Sequence, residues 1–115
     1  MNPNTKLIFA LSGLGKTTLC RRHPSITYDT DTAFDAAIAD AFPDLDLRAR
    51  RRAWRTLCRT SPWQDPDSAE FRLWATTRRR FIADILVVLN SPQPRLVLTN
   101  MQLIPWRYDR YYGVT

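Results

Sequence analysis

The sequence predicts an α/β fold, a short parallel sheet flanked by helices. Three observations carry that expectation. Lys6 to Leu11 (KLIFAL) reads as a continuous apolar run of strand length, as for a strand covered on both faces. A glycine turn and a helical stretch follow it directly. Two further strand-like segments, Ser25 to Tyr28 and Arg95 to Asn100, are separated by helical sequence. Strands spaced in this way need right-handed crossovers, and these lead to parallel pairing.

Each element follows from its residues. Lys16 to Arg22 is a short helix, stopped by His23-Pro24 because proline disfavours helical geometry in the residue before it. His23 reads as a turn residue. Ser25 to Tyr28 (SITY) is β-branched and aromatic, a second strand ending in Asp29-Thr30-Asp31. Thr32 or Asp31 caps a helix through Ala41, which Pro43 closes. Leu45 to Thr60 is a third helix, ended by Ser61-Pro62. Asp65-Pro66-Asp67-Ser68 opens the longest helix, through Leu89, with Asp or Ser as cap and Glu70 in its first turn. Asn90 to Pro94 is a turn, and Arg95 to Asn100 the third strand. In the tail, Pro105-Trp106 starts a short helix that Gly113 ends.

At 115 residues the chain reads as one domain, 1–115. A globule of this size hides roughly two-thirds of the surface its unfolded chain exposes, enough for one core. The 44% hydrophobic content excludes a disordered chain. No apolar run approaches the roughly 20 residues of a membrane span, and the opening residues resemble neither a signal nor a transit peptide. The expectation is a soluble, cytoplasmic protein with no membrane contact. Cys20 and Cys58 are far apart and lack neighbouring ligands, so both read as reduced, partly buried thiols. Net charge is +6, with Lys6 and Lys16 the only lysines among 17 basic residues. This points either to a polyanionic partner or to a compositional bias for arginine.

Ala10-Leu11-Ser12-Gly13-Leu14-Gly15-Lys16-Thr17 fits the Walker A pattern, with Ala10 where the first glycine usually stands. Gly13 and Gly15 permit positive φ and bring backbone N–H groups around a phosphate. Leu14 lies between them, and Ser12 opens the turn. The following helix aims its positive end at the same point. Lys16 supplies a mobile ammonium for the β- and γ-oxygens, Thr17 a hydroxyl for Mg²⁺, and Thr18 a donor toward the α-phosphate. The ligand expected is ATP or GTP with Mg²⁺.

With Ser12 to Thr18 and Tyr28-Asp29-Thr30-Asp31, the sequence resembles the P-loop kinase group: nucleotide, shikimate- and gluconate-kinase-like proteins and small kinase-like proteins of phages. The motifs cover about the first third of the chain, and the order of elements extends the likeness to Asn100. The resemblance implies a three-layer P-loop NTPase-like fold with strand order 2-3-1. It also implies that Asp29 holds Mg²⁺ through water and that Asp31 binds the acceptor hydroxyl or acts as its base. Read from the residues alone, two carboxylates at the end of a parallel strand face the crevice where ligands bind; the other reading is a helix cap and a turn residue. Three departures from the group stand out. Asn100 ends the third strand where an Asp is usual, so metal binding would rest on Thr17 and Asp29. There is no arginine-rich lid. Strands four and five are absent, so the first strand would be an edge, covered by Trp106, Tyr108, Tyr111 and Tyr112 of the tail, by a homodimer or by a protein partner.

On the longest helix, Phe71, Trp74, Phe81, Ile82, Ile85 and Leu89 form an apolar stripe that contains Arg78, with Arg80 roughly opposite. Arg78 either reaches the cleft, toward an acceptor or toward Asp29 or Asp31, or snorkels to the surface. On the third helix Leu47, Trp54, Leu57 and Cys58 form the apolar stripe. Arg48, Arg52, Arg55 and Arg59 form a second, either a solvated face or a track for nucleic acid or an acidic protein. Arg50 and Arg51 reach for the cleft rim in place of a lid. Trp63 stacks on a ligand ring or packs. The leading reading is a small phosphotransferase using Lys16, Asp31 and Arg78 on a small-molecule acceptor. The alternatives are a kinase-derived nucleotide-binding regulator with little turnover, and a nucleic-acid-associated P-loop protein.

Overall fold

The computed structural model describes residues 4–10, 15–93, 95–99 and 110–112. Its elements are β1 (Lys6–Ala10), α1 (Lys16–Arg22), β2 (Thr27–Asp29), α2 (Thr30–Ala41), α3 (Leu47–Arg59), a 3₁₀ turn (Pro62–Gln64), α4 (Ala69–Leu89), β3 (Leu96–Thr99) and β4 (Arg110–Tyr112). The strands form one sheet in the order β2-β3-β1-β4, and every pairing is parallel. The α/β class expected from the sequence, and the 2-3-1 order that the resemblance implies, are present within it.

Two compact units divide the chain. One comprises Met1–Thr32 with Ile85–Thr115, the other Ala33–Asp84. The first is built on the sheet. Leu7 pairs in register with Val97, and Val97 with Tyr28. Leu7 and Val97 are fully buried, as are Ile85 and Leu89 at the end of α4. The Arg95 N–H donates to the Thr5 hydroxyl and the Lys6 N–H to the Arg95 carbonyl, which ties the starts of β1 and β3 together.

The second strand begins later than its composition suggests. The His23 carbonyl accepts from the N–H groups of Ile26 and Thr27 and from the Thr27 hydroxyl, so the residues before Thr27 close a turn. His23 is the turn residue expected, and it caps α1 by donating to the Leu19 carbonyl. β2 therefore shifts toward its carboxyl end and takes in Asp29.

The tail requires a correction. Arg110–Tyr112 is a strand, β4, where a helix ending at Gly113 was expected; Pro105, Trp106 and Tyr108 lie outside the described residues. Ile8 pairs with Arg110, Phe9 with Tyr111 and Ala10 with Tyr112. The first strand is thus not an edge. An apolar strand with bare hydrogen-bonding groups on one side is a pairing hazard, and an aromatic strand from the same chain removes it. Covering that edge no longer calls for a second subunit.

In the second unit the helices are tied by caps, rings and arginines. Asp46 caps α3 by accepting from the Ala49 N–H at 2.9 Å, and the Ser68 hydroxyl caps α4 by accepting from the Phe71 N–H at 3.0 Å. The Phe34 ring meets Trp54 and Phe81 edge-on, at 5.8 and 6.1 Å between centroids. Arg80 bridges Asp40 and Asp84.

Truncation after residue 109 removes β4 and returns β1 to the sheet edge. The denaturation midpoint is expected to fall, and size-exclusion chromatography should show concentration-dependent association. An unchanged midpoint and elution would mean that β4 does not protect β1.

Candidate functional site

In a parallel sheet all strands end on one edge, and this order has a particular consequence there. The chain leaves β1 toward β2, on one side, and leaves β3 toward β4, on the other. A crevice opens where adjacent strands send their connections in opposite directions. That point lies between the carboxyl ends of β1 and β3. Residues 11–14 and Asn100, which continue those strands, are outside the described residues. Asp29 shares a register level with Leu98, as does Ile8, so Asp29 stands two strands from β1, about 10 Å away.

Gly15 enters α1 in the left-handed region, φ 89° and ψ 17°, and its carbonyl accepts from the Leu19 N–H at 2.9 Å. A Cβ built on Gly15 would meet nothing within 4 Å. The glycine is therefore needed for backbone conformation and not for lack of space. Lys16 is the first residue of α1, and Thr17 and Thr18 follow it on the first turn, both exposed. Ser12, Gly13 and Leu14 lie outside the described residues.

Asp29 has a role that the sequence left as one of two alternatives. Its Oδ1 accepts from the Asp31 N–H at 2.9 Å, the geometry of a helix N-cap one residue before α2. The cap expected at Asp31 or Thr32 is thus Asp29, because the helix starts at Thr30. Asp31 lies in the first turn, where a carboxylate is favoured by the helix dipole. Between them is a residue that sequence reasoning passed over. Thr30 is 1% exposed, and among the described residues its buried Oγ1 has no hydrogen-bond partner. An orphan of this kind costs about 1–3 kcal/mol and is uncommon unless water or a ligand completes it. Its position between two aspartates at a strand end was the available signal.

The remaining sequence candidates belong to the second unit. Arg78 is exposed, and its guanidinium carbon stands 4.9 Å from the centroid of the Trp74 ring. Trp74 in turn lies against Phe71 and Trp63, at 5.8 and 5.7 Å between centroids. A charge on the apolar stripe is thus compensated by an aromatic face and by water. Arg50 and Arg51 are both engaged within the helical unit. Arg50 donates to the carbonyls of Phe42 and Pro43, just beyond α2, and Arg51 forms a bidentate pair with Asp35. Both hold α3 to the α2 segment, since the turn between these helices brings their side chains to acceptors there. Arg48, Arg52, Arg55 and Arg59 are all exposed.

Cys20 and Cys58 are free thiols of intermediate exposure, as expected. Burial pushes the Cys58 thiol above its ordinary range, and the nearby Arg78 guanidinium offsets part of that rise.

A magnesium nucleotide is tested against these residues by their donor chemistry. Mg²⁺ needs only one or two carboxylates beside phosphate oxygens and water. Asp29 and the Thr17 hydroxyl are hard oxygen donors of the right kind, and Gly15 has the conformation a phosphate-cradling turn requires. The residues fit the group. Among the described residues no cluster of three or more His, Cys, Asp or Glu holds a metal by itself, and no helix is long and apolar enough to cross a membrane. No family model matches the chain, and no curated protein or solved structure matches it either.

Two measurements check this description. Gly15→Ala should destabilise the protein by about 1–2 kcal/mol in denaturant melts, the backbone cost of a left-handed alanine, without a packing penalty. No change in midpoint would mean that this turn relaxes freely. For Cys58, alkylation of the folded protein by iodoacetamide should be slower than in the unfolded chain near pH 8. The difference should narrow as pH rises past the elevated thiol pKa, because only the thiolate reacts. Equal rates throughout would contradict a buried, proton-retaining thiol.

Proposed function

We propose that the chain binds a magnesium nucleoside triphosphate at the β1–α1 connection. In this reading it is a small kinase with a P-loop NTPase-like fold that transfers the γ-phosphate of ATP, or GTP, to a small acceptor. One observation carries the reading. A central parallel strand runs into the Ser12–Gly15 stretch, and Gly15 turns left-handed to open α1 on the edge that Asp29 shares.

The residues divide the task by chemistry. Backbone N–H groups along Ser12, Gly13, Leu14 and Gly15 serve the β-phosphate, and Lys16 spreads its charge over the β- and γ-oxygens. Thr17 and Asp29 would hold Mg²⁺, which would supply charge neutralisation for the transferred group. Thr18 donates toward the α-phosphate. Asp31, on the first turn of α2, orients the acceptor hydroxyl and takes its proton. Arg78, the sequence's candidate for the acceptor's charge, belongs to the helical unit and lies against Trp74. Transfer of this kind is largely positioning and charge neutralisation, so a short chain suffices.

A specific observation favours a second reading, nucleotide binding with little turnover. Asp29 already serves as the cap of α2, and Arg78 already lies on Trp74. Groups engaged in holding the fold are less available for catalysis.

Calorimetric titration of ATP and GTP, with and without Mg²⁺, separates these outcomes. Magnesium-dependent binding is expected, weakened roughly 10- to 100-fold in Lys16→Ala by loss of a charged hydrogen-bond donor. Formation of nucleoside diphosphate together with a phosphorylated nucleoside, nucleotide or other small metabolite would establish transfer. Binding without turnover selects the regulatory reading, and the absence of binding by the wild type rejects both.

A further inference from the structure

The nucleotide reading leaves one face of α3 and the turn behind it without a role. α3 holds six arginines and no acidic residue. The fold sorts them by face. Arg50 and Arg51 are engaged by the α2 segment. Arg48, Arg52, Arg55 and Arg59, at i, i+4, i+7 and i+11, share one side of the helix and are exposed. Among the described residues, none of these four is ion-paired to a carboxylate. The row extends about 16 Å along the helix axis. Successive phosphates of one strand in a duplex lie about 3.4 Å apart along the axis, so the row is long enough to meet several. Arginine suits the task better than lysine, since its planar fork contacts two phosphate oxygens at once.

The segment after α3 narrows the class of partner. Four residues beyond Arg59, the 3₁₀ turn presents Trp63, 49% exposed, with its ring held against Trp74. Trp74 is supported in turn by the Arg78 guanidinium and the Phe71 ring. A large aromatic that is half exposed and braced from behind offers a rigid surface for stacking. Duplexes hide the faces of their bases, and acidic protein segments present no flat ring to match. A basic track followed closely along the chain by an aromatic platform is the combination that unpaired strands require.

We propose that α3 and the Pro62–Gln64 turn form a binding surface for single-stranded nucleic acid. The four arginines follow the phosphates, and Trp63 stacks on a base.

The test uses the full chain and a fluorescein-labelled oligothymidylate of about 12 nucleotides, followed by anisotropy over a series of salt concentrations. The logarithm of affinity should fall with the logarithm of salt at a slope of about −3, for four contacts at about 0.7 each. Arg52→Ala/Arg55→Ala should halve that slope. Trp63→Leu, which keeps apolar bulk, should weaken binding roughly tenfold and leave the slope unchanged. Melting temperatures of the variants, compared with the wild type, confirm that they are folded. Lys16→Ala and saturating Mg-ATP should not alter oligonucleotide binding, so failure here is distinguishable from failure at the nucleotide site. Wild type that does not bind, or variants that bind as wild type does, would overturn the proposal. Equal or tighter binding of a duplex or of polyglutamate, indifferent to Trp63, would also overturn it and assign the face to another class of partner.

Discussion

Parallel pairing of β1 with β3 on one side and β4 on the other organises the sheet-bearing unit. A buried strand must find partners for its N–H and C=O groups, because each one left unpaired away from water costs about as much as a lost hydrogen bond. Leu7 at the middle of that arrangement is fully buried. Once β1 is central, β2 and β4 fall on opposite sides of the β1–β3 pair, and the connections leaving β1 and β3 diverge. Strand order of this kind places the expected ligand crevice at the carboxyl ends of β1 and β3.

Side chains near that crevice serve the fold and the candidate chemistry together. Asp29 orients the start of α2 by capping it, and the same hydrogen bond restricts where its carboxylate can point. Gly15 supplies a backbone conformation that an L-residue adopts at a cost, at the point where chain direction changes from strand to helix. Thr30 keeps a buried hydroxyl between two aspartates that finds no partner among the described residues. The start of α2 thus satisfies the usual rules of a helix N-terminus at Asp29 and Asp31, and Thr30 is the departure from them.

The helical unit solves a different problem, an excess of guanidinium groups. Its carboxylates are placed selectively: Asp35 pairs with Arg51, and Asp40 and Asp84 with Arg80. Exposed pairs of this kind contribute little stability individually, about 0–1 kcal/mol. Their larger effect is on geometry, since they fix which arginines face the other helices and which face solvent. Trp74 then accommodates Arg78 on a stripe that would otherwise penalise a charge.

Much of the architecture was legible from local pattern. The bounds of α1 are readable to its terminal residues, because the end of the glycine turn and His23-Pro24 limit it from both sides; those of α3 and α4 are readable to within a few residues at either end. The start of β2 is not, because strand composition in Ser25 and Ile26 does not reveal that His23 folds the chain back over them. The tail misleads toward a helix for a related reason. Tyr111 and Tyr112 are strand formers, but only the open side of β1, distant in sequence, determines that they are used as a strand. The roles of Arg50 and Arg51 are hidden likewise, since their acceptors lie on another helix and just beyond it.

By itself, then, the sequence determined the α/β class, the start of α1 directly after Gly15 and the arginine periodicity of α3. These arise from interactions between residues close along the chain, or from connection rules that admit few topologies. Tertiary structure decided the fourth strand, the division of the arginines between packing and solvent, the bracing of Trp63, and the use of Asp29 as a cap. Each of those depends on which hydrogen-bond partner, carboxylate or ring is brought into place by the folded chain, and local preference carries no record of that.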